Sequence, residues 1–235
     1  MNGVTIKTLD DTAGIAYAGK VLGNTGNRFS DDAKENYAKF ISALPPKKPY
    51  HMIGVGRDDV LEVDHATPEQ LENIELDAVI THSSNALLVM KAADCIPLVL
   101  YVPGEKVLAL AHVGVAGAAM HLPVKVVKSL GVEPSKLKCY VGPSISPESY
   151  RFESGDVSGK NLDSSWDKYV TKEADGAHID VRGYVIDELK NAGLKEENIT
   201  LDEIDTGLHP DFFSHRQHML TGEDNGRNTY AAWLI

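Results

Sequence analysis

The stretch "KAADCIPLVLYVPGEKVLALAHVGVAG", Lys91 to Gly117, decides how this chain is read. Two apolar runs, CIPLVLYV and KVLALAHV, flank the turn residues Pro103-Gly104-Glu105-Lys106. Short apolar runs bounded by a Pro-Gly turn predict two buried strands joined as a hairpin. Cys95 opens the first strand and His112 closes the second, 17 residues later. In a hairpin those positions share one end of the sheet, so a thiol and an imidazole are expected side by side.

Outward from this hairpin the punctuation is clear. VTIKTL and GIAYAGKV read as a strand pair around the Asp10–Gly14 turn. Ser30 is the expected cap of a helix over DDAKENYAKFISAL, which the Pro45-Pro46 pair stops. YHMIGVG and DVLEVD read as strands, and Thr67 with Gln70 forms a capping box for the helix TPEQLENI. DAVITH and ALLVMKA are further strands. AAMHLPVKVVKSLG is expected as a helix with Pro123 in its first turn and Gly131 at its end, KLKCYVGPSI as a strand, YVIDELKNAG as a helix, and NITLDEI and NTYAAWLI as strands. Leu208 to Arg227 is polar and His-rich and reads as a loop. Strands and helices alternate without a regular βα period, which predicts an α+β fold of mixed sheets with helices outside, in a single domain over 1–235.

Composition narrows the function. The formal charge of −11 argues against non-specific nucleic-acid binding, which needs a basic face. No apolar run reaches the roughly 20 residues of a membrane span. The first residues lack a basic start followed by an apolar stretch, so no signal peptide is expected. With two cysteines, Cys95 and Cys139, a disulfide framework is not expected, and a reducing cytoplasm is the default.

The Cys95–His112 pair admits three readings from the residues alone. A thiol beside a histidine is a nucleophile with its base. The same pair supplies two ligands for zinc or copper. Both residue types are also common as plain core or rim residues. Gly114 and Gly117, in the turn into the next helix, would let backbone approach a ligand. Asp94 lies on the opposite strand face and is not expected to join the pair. His209, His215 and His218 form a minor candidate cluster, and Cys139 reads as a packed thiol.

From about Tyr50 onward the chain resembles the YfiH-type laccase-domain family. The likeness runs in order through Asp77-Ala78-Val79-Ile80-Thr81, Ala93-Asp94-Cys95-Ile96-Pro97, Ala111-His112-Val113-Gly114, YVGPSISPESYRF, FFSHRQ and GRNTYAAWLI. The resemblance implies an α+β fold layered α/β/β/α, also resembling the catalytic domain of cytotoxic necrotizing factor toxins, which are Cys–His deamidases. It implies purine nucleoside phosphorylase chemistry with adenosine deaminase activity, purine nucleoside and phosphate as small-molecule partners, no nucleotide cofactor, and a zinc (or copper) held by His, Cys and His. Carried over by position, Cys95 and His112 are two ligands, and Arg216 matches an arginine able to reach a substrate anion.

The chain departs from that pattern at the remaining ligand. The family histidine falls on Gly56, with His51 as a substitute if the strand register differs and His82 as a lesser one. Val115-Ala116 stand where the family has Trp-Arg, and Glu148-Ser149 where it has paired cysteines. Three functions are therefore carried forward: a metal-assisted purine nucleoside phosphorylase or deaminase, a metal-free Cys–His hydrolase or deamidase, and a binding protein that has lost its reaction.

Overall fold

The structure is a computed structural model that describes residues 3–26, 31–71 and 75–235. Ser30, the expected helix cap, lies outside the described residues, as does the end of TPEQLENI.

Two mixed sheets stack face to face. The five-stranded sheet runs β1 (Val4–Leu9), β2 (Ala13–Ala18), β14 (Asn228–Leu234), β6 (Ala86–Ala92) and β3 (Lys48–His51) in spatial order. All its neighbours are antiparallel except β3 with β6. The six-stranded sheet runs β13 (Ile199–Leu201), β9 (Lys138–Val141), β7 (Ile96–Tyr101), β8 (Leu108–Val113), β5 (Ala78–Thr81) and β4 (Val60–Glu62), with parallel pairs at both edges.

The two-residue period of a strand builds three cores. On β6, Leu88 and Met90 enter the cluster between the sheets, while Leu87 and Val89 face the opposite way. There they meet Phe40 and the partly buried Tyr37 of α1 (Ala33–Ser42). On β7, Val99 and Tyr101 point between the sheets, and Leu98 and Leu100 point outward. The outward set packs on Ala118 of α3 (Val115–Ala119), Val126 and Val127 of α4 (Leu122–Ser129), and Val185 and Leu189 of α5 (Val181–Asn191). The α/β/β/α layering follows from this alternation. At roughly 1.5–3 kcal/mol per fully buried large apolar side chain, these interleaved layers are the main favourable term in the fold.

The capping box forms at α2 (Pro68–Leu71): Thr67 N donates to Gln70 Oε1 at 2.7 Å, and Gln70 N donates to Thr67 Oγ1 at 3.4 Å.

Three expectations are corrected. The helix expected over AAMHLPVKVVKSLG has Pro123 in its first turn, as expected, but it starts only at Leu122; a separate short helix precedes it, and His121 between the two sits in the left-handed region (φ 60°). Pro123 in the first turn of α4 explains the break, because a proline ring cannot continue a helix arriving from α3. A three-stranded antiparallel sheet of β10 (Arg151–Phe152), β12 (Gly176–Ile179) and β11 (Val170–Glu173) occupies a stretch with no expected strands. Leu208–Arg227 is not all loop: α6 (His215–Thr221) starts at Ser214, whose side chain accepts from Gln217 N, and ends at Gly222 (φ 78°).

Candidate active site

The β7–β8 register sets the site. Pro97 pairs with His112 and Ile96 with Val113. Cys95 therefore falls opposite Gly114 and diagonal to His112, on the same face. A Cβ at Gly114 would lie 2.9 Å from Cys95 Sγ, so a glycine there leaves room for the thiol.

His112 is buried and held on two sides. Its backbone N–H donates to Asp77 O at 2.7 Å, and its Nδ1 lies 2.7 Å from Asp77 Oδ1. Asp77 is fully buried just before β5, on the strand next to β8. Its carboxylate accepts from three successive backbone N–H groups: Val55 at 3.1 Å, Gly56 at 3.1 Å and Arg57 at 2.7 Å. Burial alone would raise the Asp77 pKa. The bonds from His112, Arg57 and Gly56 outweigh it and hold the carboxyl below its usual range. For His112, burial disfavours the charged ring, but Cys95 and Asp77 outweigh it and raise the pKa to about 10. With Nδ1 bound to Asp77, Nε2 is the nitrogen left for the thiol.

Asp94 turns the chain into the site, with φ 84° and a buried carboxyl. Its Oδ1 accepts from Thr206 Oγ1 at 2.9 Å and its Oδ2 from Arg216 N at 2.7 Å. It therefore ties the start of α6 to the hairpin and stays out of the Cys–His pair. Burial raises its pKa despite those donors.

In front of Cys95 opens a cavity of about 140 Å³, lined also by Gly114, Tyr150, Lys160, His215 and Arg216. The Arg216 guanidinium lies 4.1 Å from the Phe152 ring centre and 5.1 Å from that of Tyr150.

Other candidates lie elsewhere. Tyr50 points between the sheets, so His51 on the same strand faces α1, where its ring is 5.4 Å from Tyr37. Burial lowers its pKa to about 4, with Lys91 adding to the shift. His51 is not brought to Cys95. His82 follows Thr81, which pairs with Leu108 at the far end of β8 from His112. Gly56 (φ 80°) has only Ala116 Cβ, at 3.4 Å, near an added Cβ. Gly117 packs against Arg57 O rather than lining the cavity. His215 and His218 rings are 6.3 Å apart, while His209 packs on Phe212. Cys139 is buried, and burial pushes its thiol pKa up.

Residues 15–235 match the family described as multi-copper polyphenol oxidoreductase laccase. The chain belongs to this laccase family. A purine nucleoside phosphorylase of Xylella fastidiosa is 26% identical, aligned over 98% of this chain and 92% of its own length. One from Staphylococcus aureus strain MRSA252 is 33% identical over 60% of this chain, which spans about half (54%) of that relative's length. Among solved structures, a Neisseria meningitidis protein superposes with a TM-score of 0.81 at 17% identity, covering 99% of each chain. Geobacillus stearothermophilus YlmD superposes at 0.78 and 21% identity, covering 99% of this chain and 92% of its own. These last two show the fold.

A zinc centre with an open position needs three protein ligands. Cys95 and His112 supply two. Among the described residues, three potential ligand side chains converge only at Glu173, Asp175 and His178, on the β11–β12 hairpin. There both His178 nitrogens are already engaged, by Pro147 O at 2.9 Å and Asp175 at 3.0 Å. The residues at Cys95 do not fit a three-ligand metal.

The sequence reading missed Asp77. Its signal was an acid directly before an apolar strand, 35 residues from His112 and invisible as a partner until strand order is known. Lys160 and Tyr150 were missed because the small sheet that places them was missed.

Proposed function

We propose that this laccase-domain chain is a thiol-dependent hydrolase of an amide or acyl bond in a small substrate, working without a metal. Cys95 is the nucleophile, His112 the acid and base, and Asp77 the positioning residue. What carries this reading is the clamp behind a thiol that faces a cavity: Asp77, bonded to His112 at 2.7 Å, is held by the backbone N–H groups of Val55, Gly56 and Arg57, which bring no third metal-ligating side chain to the pair. An imidazolium is the partner a nucleophilic thiolate needs.

In the reaction, Cys95 sulfur attacks the substrate carbonyl carbon and forms a C–S bond. The leaving amine takes a proton from His112 Nε2 as the C–N bond breaks. Water then attacks the thioester carbon and gives its proton to Nε2. The C–S bond breaks, the carboxylic acid departs, and Cys95 and His112 return to their starting state. Asp77 fixes the ring so that Nε2, and not Nδ1, faces the sulfur.

The names of the curated relatives favour a second reading, cleavage or deamination of a purine nucleoside in the same cavity. Adenosine and inosine, each with phosphate, distinguish it by release of free base or ammonia.

The test of the first reading is alkylation of Cys95 by iodoacetamide at pH 7, followed by mass spectrometry. Expected is a rate above that of free cysteine, unchanged by a chelator and lost in His112→Gln. A rate equal to an ordinary thiol, or one that the chelator abolishes, overturns the reading.

A further inference from the structure

The β11–β12 hairpin gathers a second set of donors, away from Cys95. Thr171 pairs with His178, and Glu173 lies two residues further along β11 on the same face. Glu173 is therefore diagonal to His178, and Asp175 sits in the turn that joins the two strands. One oxygen of each carboxylate and one ring nitrogen lie within 4.8 Å of one another. They border a cavity of about 490 Å³ that also touches Glu148 and Asp180 and shares no lining residue with the cavity at Cys95.

The His178 ring decides how this set can be used. Its side chain is only 9% exposed. Nδ1 lies 2.9 Å from Pro147 O, and Nε2 lies 3.0 Å from Asp175 Oδ1. Both partners are acceptors, and a neutral imidazole carries one N–H. With that proton on Nδ1, Nε2 aims a lone pair at a carboxylate. A backbone carbonyl holding Nδ1–H is also the arrangement that fixes Nε2 as a metal ligand. Buried lone pairs that face each other need a positive centre between them, a proton or a cation. A proton on Nε2 satisfies His178 and Asp175 alone. Glu173 converges on the same point, and among the described residues it enters no ion pair. A divalent cation uses all three. Arg151 Nη1 donates to Asp175 Oδ2 at 3.1 Å while its Nη2 donates to Glu153 Oε1 at 3.1 Å, so it fixes Asp175 by one oxygen and leaves Oδ1 toward His178.

We propose that Glu173, Asp175 and His178 form a binding site for a zinc-class divalent cation, with its fourth position open to the cavity beside them. One nitrogen and two oxygens suit zinc better than calcium or magnesium, which take oxygen ligands. Ligand atoms around a tetrahedral zinc stand about 3.3 Å apart. The His178–Asp175 pair is already near that spacing, and the exposed Glu173 at the end of β11 closes the rest. The site does not rest on the reaction proposed at Cys95.

Zinc itself is the probe. It is added to the full chain after chelator treatment, with Cys95 capped by iodoacetamide so that the Cys95–His112 pair does not compete. Calorimetry is expected to give one zinc per chain with a Kd of about 10⁻⁶ M. His178→Gln, Asp175→Asn and Glu173→Gln should each weaken binding about 100-fold. Glu173→Gln changes an exposed strand end, so it still decides should His178→Gln fail to fold. The second readout is the ring. In nitrogen NMR spectra at pH 7, zinc should leave His178 Nδ1 protonated and Nε2 without a proton.

No binding up to millimolar zinc overturns the site. So does bound zinc that none of the three variants weakens, which places the metal elsewhere. A His178 that keeps both protons at saturating zinc overturns it too, because the positive centre is then the proton.

Discussion

Replacing Asp77 by Asn tests the triad at its buried end. Oδ1 receives Val55 N, Gly56 N and His112 Nδ1, while Oδ2 receives Arg57 N at 2.7 Å and Val55 N at 3.2 Å. Asn keeps one acceptor and turns the other into a donor. In one amide orientation the new NH₂ meets Arg57 N–H, and in the other it meets Gly56 N–H and His112. At about 1–3 kcal/mol for each buried group left unsatisfied, plus the lost charge, Asp77→Asn is expected to cost about 2–4 kcal/mol. For a chain of this size that is a fall in Tm of roughly 5–15 °C. The pH dependence has a definite sign. The His112 pKa is raised above 6.5 in the folded state, so its contribution is complete below about pH 6.5 and is lost as pH rises through about 10. The Asp77 pKa is lowered, so its contribution is present above 3.8 and lost as pH falls through its folded value. The gap between wild type and Asp77→Asn should be widest near pH 5–6 and narrow by pH 10. Urea unfolding at pH 6 and pH 9.5 reads it, with Cys95 alkylation measured beside it. Equal stability at pH 6, or a gap that widens with pH, would refute the assigned roles of Asp77 and His112.

Further outcomes follow from the same contacts. Gly54→Ala puts a Cβ 2.2 Å from His112 Nδ1, so it should displace the ring and abolish fast Cys95 alkylation. Retained fast alkylation would mean that the ring position does not matter. Asp94→Ala removes the acceptor of Arg216 N and Thr206 Oγ1, so α6 should loosen. Hydrogen exchange over residues 214–221 should rise while β7 and β8 stay protected, and uniform protection would refute the tie. At the Cys95–His112 pair, added zinc should bind weakly and block the thiol. If four-ligand zinc sites reach about 10–16 kcal/mol, two ligands give about half, a Kd near 10⁻⁴ to 10⁻⁶ M. Nanomolar binding at the thiol, or activation by zinc, would show that a third donor exists.

The pairing of Cys95 with His112 was legible because strand period and a Pro-Gly turn are local signals. The β7–β8 hairpin is written in one run of sequence, and so is the end of the sheet that both residues occupy. Asp77 was not legible as their partner, since it reaches His112 only because β5 lies beside β8. The small sheet escaped for another reason. Lys172 and Glu173 of β11 are exposed and β10 is two residues long, so neither strand carries an apolar alternation. With it went Phe152, and therefore the place of Lys160 beside the cavity. The α6 signals were present, Ser214 before the helix and Gly222 after it, but the surrounding Pro, Gly and Asn outweighed them. His51 was misplaced by parity: one residue along β3 is the difference between the inter-sheet core and the α1 face.

Whether a Cys–His pair holds a metal or works as a thiol depends on what the third partner is. The Asp77–His112 bond does not discriminate by itself, because a metal-bound histidine also donates its second nitrogen to a carboxylate. Residues 54–57 do discriminate. By the resemblance the family's third ligand would fall on Gly56, and in this chain that position offers a backbone N–H to Asp77. Its neighbours do the same through Val55 N and Arg57 N, and Gly54 has no room for a Cβ against the His112 ring. The segment thus works as a backbone clamp on the carboxylate that orients His112. Adding a side chain at 56 would have to overcome φ 80° and keep the Asp77 clamp intact, so a metal site is more than one substitution away from this arrangement.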